Sequence, residues 1–362
     1  MAFPFKNVQL AIANLGASHG GGEHTLLKQA EPPRSRWCII IADDHGPEWA
    51  MGLERDPAPV QYCRLGEAAT PLQRSLHQAA AIAPTSQVIV TAFAEYRNFW
   101  EPSLWFVRPE RRFVCDSRAA SQLSLAAAIL SVAARSPSNV ITILPARCFV
   151  AREWILRRAL NHALLELPGI PEGAVTLGML DIEEGIDEDY FVVGRPPVGR
   201  GLRIDGFARR PVPWVSRHLR QHGALVASGI MIGYAGVFAA HISKNWPGIS
   251  RQLTRLVAAA AGEECAVPSL LNRGVPRAVL HSLRWHPPAF PQRVFGVCGS
   301  GWSGLKTARS VARMVDYFSS CAESEVVDGT PIGERISAMG GMGGHKPSDP
   351  IVYSNQGSYV QS

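Results

Sequence analysis

The stretch that decides the fold reads Val140-Ile141-Thr142-Ile143-Leu144-Pro145-Ala146-Arg147-Cys148. A run of β-branched and apolar residues that ends at a proline predicts a buried strand over 140–144. In open α/β sheets, ligands bind beyond the carboxyl ends of the strands. An acidic residue at such a strand end could hold a metal ion, but Arg147 and Cys148 stand there instead.

Around this strand, the chain alternates between strand patterns and helix patterns. Strands are predicted over 37–42, 88–92, 140–144, 175–180, 202–208, 228–234 and 293–297, and helices over 70–81, 119–134, 152–165, 236–244 and 306–319. The helix over 119–134 is expected to be amphipathic, with an apolar stripe at Leu123, Ala127, Leu130 and Ala134. Repeated strand–helix units of this length predict an α/β fold, with a mostly parallel mixed sheet flanked by helices.

The composition at the two ends of the chain divides it into three regions. Residues 1–35 are rich in Gly, Ser, His and Pro, which is typical of a partly flexible N-terminal extension. Residues 36–320 carry the strand–helix pattern and are expected to form one domain. Residues 321–362 include a glycine run at 340–344, and we expect a flexible C-terminal tail.

Charge and cysteine content exclude several classes of protein. The net charge of +6 is mild for 362 residues, and the arginines are scattered, so a nucleic-acid partner is not expected. The seven cysteines include no CxxC pair, which predicts buried free thiols in a reducing compartment. Neither a membrane-spanning run nor a signal peptide is recognisable, so we expect a cytoplasmic protein without a membrane partner.

Nine short segments follow one another in an ordered series. They are 41–49 (IADDHGPEW), 59–62 (PVQY), 118–120 (RAA), 145–148 (PARC), 175–179 (VTLGM), 189–192 (DYFV), 207–211 (FARRP), 226–230 (VASGI) and 301–306 (GWSGLK). The series resembles L-A-G-G-x-G-T-R-L, P-K-Q-F, R-N-T or R-G-T, P-x-D-H, V-x-L-G-I, Y-G-Y-I, F-x-E-K-P, W-N-S-G-M and G-W-S-D-x-G. These are the motifs of the sugar-phosphate nucleotidyltransferases, and the likeness is greatest to mannose-1-phosphate guanylyltransferase (GDP-mannose pyrophosphorylase).

That resemblance implies a Rossmann-like nucleotide-diphospho-sugar transferase fold and a nucleotidyl-transfer reaction. In the family, a sugar phosphate attacks the α-phosphorus of a nucleoside triphosphate, and pyrophosphate leaves. Such reactions are catalysed by positioning and by neutralisation of phosphate charge. Two carboxylates of the family hold Mg²⁺, a hard cation that prefers oxygen ligands.

The motif positions also give the candidate site residues. For the nucleotide and its phosphates, the resemblance points to Asp43, Asp44, His45, Gly46, Gln61, Arg118, Arg147 and Gly178. For the sugar phosphate, it points to Arg209, Arg210, Ser228 and Gly229. No residue is assigned as a metal ligand.

Several of these positions depart from the family in charge. The two loop glycines are replaced by Asp43 and Asp44, and the two metal carboxylates by Arg147 and Gly304. The resemblance therefore predicts a pseudoenzyme that requires no cofactor and has lost the transfer chemistry. It would act by binding a nucleotide, a sugar phosphate or a protein partner, such as an intact nucleotidyltransferase in a homo- or hetero-oligomer. A further hypothesis pairs Arg147 with Glu48, which stands where the family has an arginine.

Two other functions remain open at this point. The chain could be an active nucleotidyltransferase with a modified site, using Mg²⁺ or using Arg147, Arg209 and Arg210 in its place. Alternatively, residues 299–307 approach the P-loop pattern G-x-x-x-x-G-K-[ST] and would centre a nucleotide enzyme on Lys306. Asp43-Asp44-His45 is interpreted as a turn in preference to a metal site. Cys148 is interpreted as a buried inert thiol in preference to a reactive one.

Overall fold

The structure is a computed structural model. It describes residues 35–43, 48–49, 58–64, 69–116, 120–180, 188–194, 201–260, 262–268, 271, 292–326 and 352–353. For 48–49, 318–326 and 352–353 only the backbone is described.

Strands and helices alternate through most of these residues. The strands are β1 (Arg36–Ile41), β2 (Glu48–Trp49), β3 (Ala58–Pro59), β4 (Val88–Phe93), β5 (Arg112–Cys115), β6 (Val140–Pro145), β7 (Cys148–Val150), β8 (Ala174–Met179), β9 (Tyr190–Val193), β10 (Leu202–Ala208), β11 (Leu225–Tyr234), β12 (Cys265–Val267), β13 (Gln292–Val297), β14 (Trp302–Gly304) and β15 (Val352–Tyr353). The helices are α1 (Pro71–Ala80), α2 (Arg97–Trp100), α3 (Ser121–Ala133), α4 (Glu153–Glu166), α5 (Pro213–Gln221), α6 (Ala235–Asn245), α7 (Pro247–Ala259) and α8 (Ala308–Val326).

One mixed sheet organises the described chain. Its order is β12-β5-β4-β1-β6-β11-β8-β13-β10-β9, and β15 pairs with β13. The strands from β12 to β6 run parallel, as do β8 and β13 with each other. The long strand β11 runs antiparallel between β6 and β8. The predicted mixed sheet flanked by helices is therefore confirmed, although antiparallel pairs are about as frequent as parallel ones among the described strands, so the sheet is not mostly parallel.

Hydrophobic cores cover both faces of this sheet. In β1, Cys38 and Ile40 pack on the face covered by α1 and α4, whereas Trp37 and Ile39 pack on the face covered by α3, α6 and α7. Because β1 is buried on both faces, its sequence is a continuous apolar run instead of an alternating one. The central parallel strands thus form a rigid base, and their carboxyl ends share one edge of the sheet.

Helix α3 differs from its prediction. Ten of its thirteen residues are buried, including Leu125 and Ile129, which lie off the predicted apolar stripe. The helix packs on β1, β4 and β5 and is covered on its other side by α6 and α7. The predicted helix is present, but its predicted amphipathic character is wrong, because a second layer of helices covers the side that was expected to face solvent.

Two short strands, β7 and β14, form a separate antiparallel pair. The pair places Gly304 opposite Cys148, so the residues after β6 lie beside the late segment 301–306. After β14, helix α8 buries Val311 and Met314 against Phe149. The expected domain boundary at 320 falls inside α8, and β15 lies within the expected C-terminal tail.

The remaining parts of that tail, and the N-terminal extension up to residue 34, lie outside the described residues. Within the described part of the chain, no helix is both long and apolar enough to cross a membrane.

Candidate functional site

Three segments meet near the carboxyl end of β6. Arg147 lies two residues beyond β6 and is only 6% exposed. Glu188 lies two residues before β9 and is fully buried. Lys306 lies two residues beyond β14, and its ammonium group forms an ion pair with Oε2 of Glu188. We refer to Arg147, Glu188 and Lys306 as the charge cluster.

The electrostatics of the charge cluster centre on Glu188. Burial raises the pKa of this carboxyl to about 7, because removal from water disfavours the charged form. The positive charges of Lys306 and Arg147 act in the opposite direction, whereas the neighbouring Asp189 raises the pKa further. Glu188 is thus a carboxylate whose charge depends on the two cations beside it.

Gly304 gives Glu188 the space that it occupies. A Cβ atom placed on Gly304 would lie 2.5 Å from Oε1 of Glu188, which is too close for a real contact. Among the described residues, this Oε1 atom has no hydrogen-bond partner. A side chain at position 304 would therefore require the carboxylate of Glu188 to move from its present place.

A divalent metal ion does not fit the charge cluster. Mg²⁺ is bound through oxygen atoms, usually including one or two carboxylates. The cluster offers one carboxylate, already paired with Lys306, and two cations that would repel the ion. No group of three His, Cys, Asp or Glu residues that could hold a metal ion occurs in the described part of the chain.

A bulge in β11 faces the end of β6. The pairing of β11 with β8 shifts register between Ala227 and Met231. Within this bulge, Gly229 is exposed at φ +79°, and a Cβ there would lie 3.5 Å from Cγ of Pro145. Because that backbone conformation favours glycine, the bulge presents bare main chain next to the strand end that leads to Arg147.

The hydroxyl of Ser228 stabilises the bulge. It donates to the carbonyl of Leu177 at 2.6 Å and accepts from the backbone N–H of Ile230 at 3.1 Å. The side chain of Ser228 is buried within the sheet, whereas the adjacent Gly229 is exposed to solvent.

Arg209 and Arg210 lie on the surface, next to the segment that carries Glu188. Arg210 has φ 39°, and its backbone N–H donates to Oδ1 of Asp189 at 3.0 Å. Asp189 also accepts at its carbonyl from the N–H of Ala227 at 2.8 Å, which ties this segment to β11. Both arginines are exposed, and the bond from Arg210 to Asp189 holds them near the residue that follows Glu188.

Asp43, at the end of β1, faces inward. Its carboxylate is fully buried and accepts hydrogen bonds from Thr91 (2.5 Å), Ser124 and Cys115 (3.4 Å). These three donors belong to β4, α3 and β5, so the carboxylate joins three elements at the sheet edge. Burial raises the pKa of Asp43 to about 6, although the hydrogen bonds oppose this shift.

Gln61 reaches the same strand end from the short helix Val60–Tyr62. Its side-chain amide donates to the carbonyl of Ala42 at 2.8 Å, and the hydroxyl of Tyr62 donates to the same oxygen at 2.6 Å. Both residues are buried. They stabilise the chain just before the segment 44–47, which lies outside the described residues.

We predict that Asp43 makes stability fall as pH rises from about 4 to about 6. The unfolded chain releases this proton near the ordinary pKa of 3.8, whereas the folded chain holds it to about pH 6, so folding binds a proton in this window. At about 1.4 kcal/mol per pKa unit, Asp43→Asn should reduce this fall in the free energy of unfolding by about 3 kcal/mol. Urea unfolding from pH 4 to pH 8 measures the free energy, and the exposed Asp316→Asn is the control. An unchanged pH dependence in Asp43→Asn would contradict the prediction.

Gly178 has a packing role within the sheet. A Cβ on this residue would lie 2.6 Å from Cβ of Leu225 and 2.8 Å from Cγ2 of Val294. These residues belong to β11 and β13, the two neighbours of β8. Glycine at 178 therefore allows the three strands to pack at this point.

Several predicted positions lie outside the described residues. They are Asp44, His45, Gly46 and Arg118, together with the side chain of Glu48. The proposed pair between Glu48 and Arg147 therefore stays a prediction.

The glycine-rich segment that resembles a P-loop has a different geometry. The carbonyls of Ser300 and Gly301 accept from the N–H groups of Arg152 (2.9 Å) and Ala151 (3.3 Å), just before α4. Strand β14 then separates this turn from α8, whereas a P-loop leads directly from a strand into a helix. The hypothesis of a P-loop at residues 299–307 is therefore wrong.

Cys148 is a buried thiol, as the sequence predicted. Burial raises its pKa to about 12, and its Sγ lies 3.2 Å from the carbonyl oxygen of Pro145. Cys38, Cys63, Cys115 and Cys265 are also buried and free.

Sequence reasoning missed Glu188. It lies in the acid-rich segment 181–189, where nothing in the spacing distinguishes one carboxylate from another. One signal for Glu188 was available in segment 301–306. Gly304 has no side chain and lies two residues before Lys306, so a carboxylate from another segment has both space and a cationic partner there.

Two solved structures share the fold of this chain. Mannose-1-phosphate geranyltransferase from Thermus thermophilus matches with a TM-score of 0.60 and 18% identity, over 77% of this chain and 78% of that chain. Mannose-6-phosphate isomerase from Helicobacter pylori matches with a TM-score of 0.54 and 13% identity, over 74% of this chain and 99% of that chain. No protein-family model matches the sequence, and no curated protein matches it significantly.

Proposed function

We propose that this chain, whose fold is that of the nucleotide-diphospho-sugar transferases, binds a nucleotide or a sugar phosphate without transferring a nucleotidyl group. It would be a mannose-1-phosphate guanylyltransferase-like protein in which the binding surface is kept and the catalytic metal site is lost. The observation that carries this proposal is the charge cluster, in which Arg147 and Lys306 surround the single carboxylate of Glu188.

Loss of transfer follows from the electrostatics of the reaction. The transfer passes through a state in which negative charge grows on the phosphates, and positioned cations stabilise it. Removal of one such contact typically lowers the rate about 10²–10³-fold. In this chain, the positions that resemble both metal carboxylates hold Arg147 and Gly304, so we expect no measurable turnover.

Retained binding is supported by the groups around the charge cluster. Arg209 and Arg210 expose guanidinium groups, which form paired hydrogen bonds with phosphate oxygens. The bare backbone at Gly229 allows a ligand to approach the sheet edge closely. These features suit an anionic ligand.

The expected result is ligand binding without pyrophosphate release. With GTP, mannose 1-phosphate and Mg²⁺, pyrophosphate should not rise above the rate without protein. GTP or GDP-mannose should raise the melting temperature, since saturation at 100 times Kd stabilises by about 2.7 kcal/mol. The variant Arg209→Gln/Arg210→Gln should lose most of this shift, whereas Arg251→Gln, an exposed residue on α7, should keep it.

Two outcomes would contradict the proposal in different ways. Catalytic pyrophosphate release would show an active transferase with a modified site. A melting temperature unaffected by GTP, GDP-mannose and mannose 1-phosphate would remove the binding function, and an assembly role with a protein partner would then be tested.

A further inference from the structure

We infer that Lys306 and Arg147 form a fixed cation centre that replaces a divalent metal ion, so that nucleoside diphosphate binds equally well with and without magnesium. The inference rests on the proposed function and adds the means by which phosphate charge is neutralised. It concerns this chain's own residues, because position 306 bears a lysine where the resembling motif ends in glycine.

Glu188 fixes the position of Lys306, but the ammonium group retains N–H donors that can bind a ligand. An ammonium group has three N–H donors. Among the described residues, its one hydrogen bond goes to Oε2 of Glu188, which leaves two donors. Its side chain is 21% exposed, whereas Glu188 is fully buried. The buried carboxylate therefore anchors a cation whose outer side reaches solvent.

The two cations of the cluster can neutralise phosphate charge without an added ion. Arg147 lies close enough to lower the pKa of Glu188, so its charge acts at the same place as that of Lys306. Asp189 contributes a second negative charge nearby, so the attraction for phosphate comes from the direct N–H donors of Lys306 and not from a net positive charge.

The same charges exclude a metal ion brought by the ligand. A magnesium–nucleotide complex would place a divalent cation beside Lys306 and Arg147, where like charges repel. Glu188 offers a single carboxylate, and its Oε2 already accepts from Lys306. Free nucleotide should therefore bind as well as its magnesium complex.

The test on the unaltered chain is a calorimetric titration with GDP, once in EDTA and once in excess MgCl₂. The two dissociation constants should agree within about threefold, because no step of binding requires the ion. Binding that strengthens about tenfold or more with MgCl₂ would overturn this inference and leave the proposed function intact. Absence of binding in both buffers would overturn the proposed function, and this inference with it.

A paired variant tests the role of Lys306 without leaving a buried charge. Lys306→Gln/Glu188→Gln removes both charges and retains two side chains of similar shape. GDP affinity in EDTA should fall about tenfold or more, as expected for a lost charge-assisted hydrogen bond. Lys244→Gln, an exposed lysine on α6 at the other face of the sheet, is the matched control. Equal affinity of the paired variant and the unaltered chain would overturn the inference.

Discussion

Lys306→Met is expected to destabilise the folded chain by about 3 kcal/mol at pH 9. The substitution removes the ion-pair partner of the fully buried Glu188, whose carboxyl must then take up a proton two pH units above a pKa of about 7, at about 1.4 kcal/mol per unit. The loss should shrink at pH 5, because the pKa of Glu188 is already raised to about 7 and the carboxyl then takes up a proton.

Urea unfolding at the two pH values measures this effect. The double variant Lys306→Met/Glu188→Gln should recover most of the lost stability, because it contains no buried charge to compensate. Lys244→Met serves as the control for removal of an exposed lysine. A loss below about 1 kcal/mol at pH 9, or a double variant no more stable than Lys306→Met, would contradict the ion pair as described.

Gly178→Ala is expected to destabilise the chain by about 3 kcal/mol, the upper range for an overpacked core. The new methyl group would lie 2.6 Å from Cβ of Leu225, an atom fixed to the backbone of β11 that cannot rotate away. Either β11 or β13 must then move away from β8. If β11 is the strand that moves, the bulge at Gly229 moves with it.

Gly206→Ala is the matched control for this substitution. Gly206 also lies within a strand, but its nearest neighbour to an added Cβ is Cβ of Val192 at an ordinary 3.5 Å. The free energy of unfolding of the Gly206→Ala variant should change by less than about 1 kcal/mol. Equal unfolding midpoints in urea for the two variants would contradict the packing argument at Gly178.

The sequence was sufficient to predict elements that are buried on two sides. The strands over 140–145 and 88–93 appear as continuous apolar runs, because both faces of the sheet are covered. Helices α5 and α7 were missed, although both begin with a proline at the first helical position, Pro213 and Pro247. Strands β7 and β14 have three residues each, which is too short for a periodic pattern.

The candidate site could be predicted only in part, because its side chains depend on long-range contacts. The order of motifs pointed to Arg147 and Gly304, and the structure brings their segments together through the pairing of β7 with β14. The inward direction of Asp43 depends on Thr91 and Ser124, which are distant in sequence. The direction of a short polar side chain at a strand end is decided by such partners and not by its neighbours.

The contact between Gly304 and Glu188 makes the present arrangement hard to reverse. An aspartate introduced at position 304 would collide with a carboxylate that is already there, since even its first carbon lies 2.5 Å from Oε1. The carboxylate of Glu188 would have to move aside, which would break its ion pair with Lys306. The return of an acidic residue to position 304 would thus be unfavourable until the residue at 188 also changes.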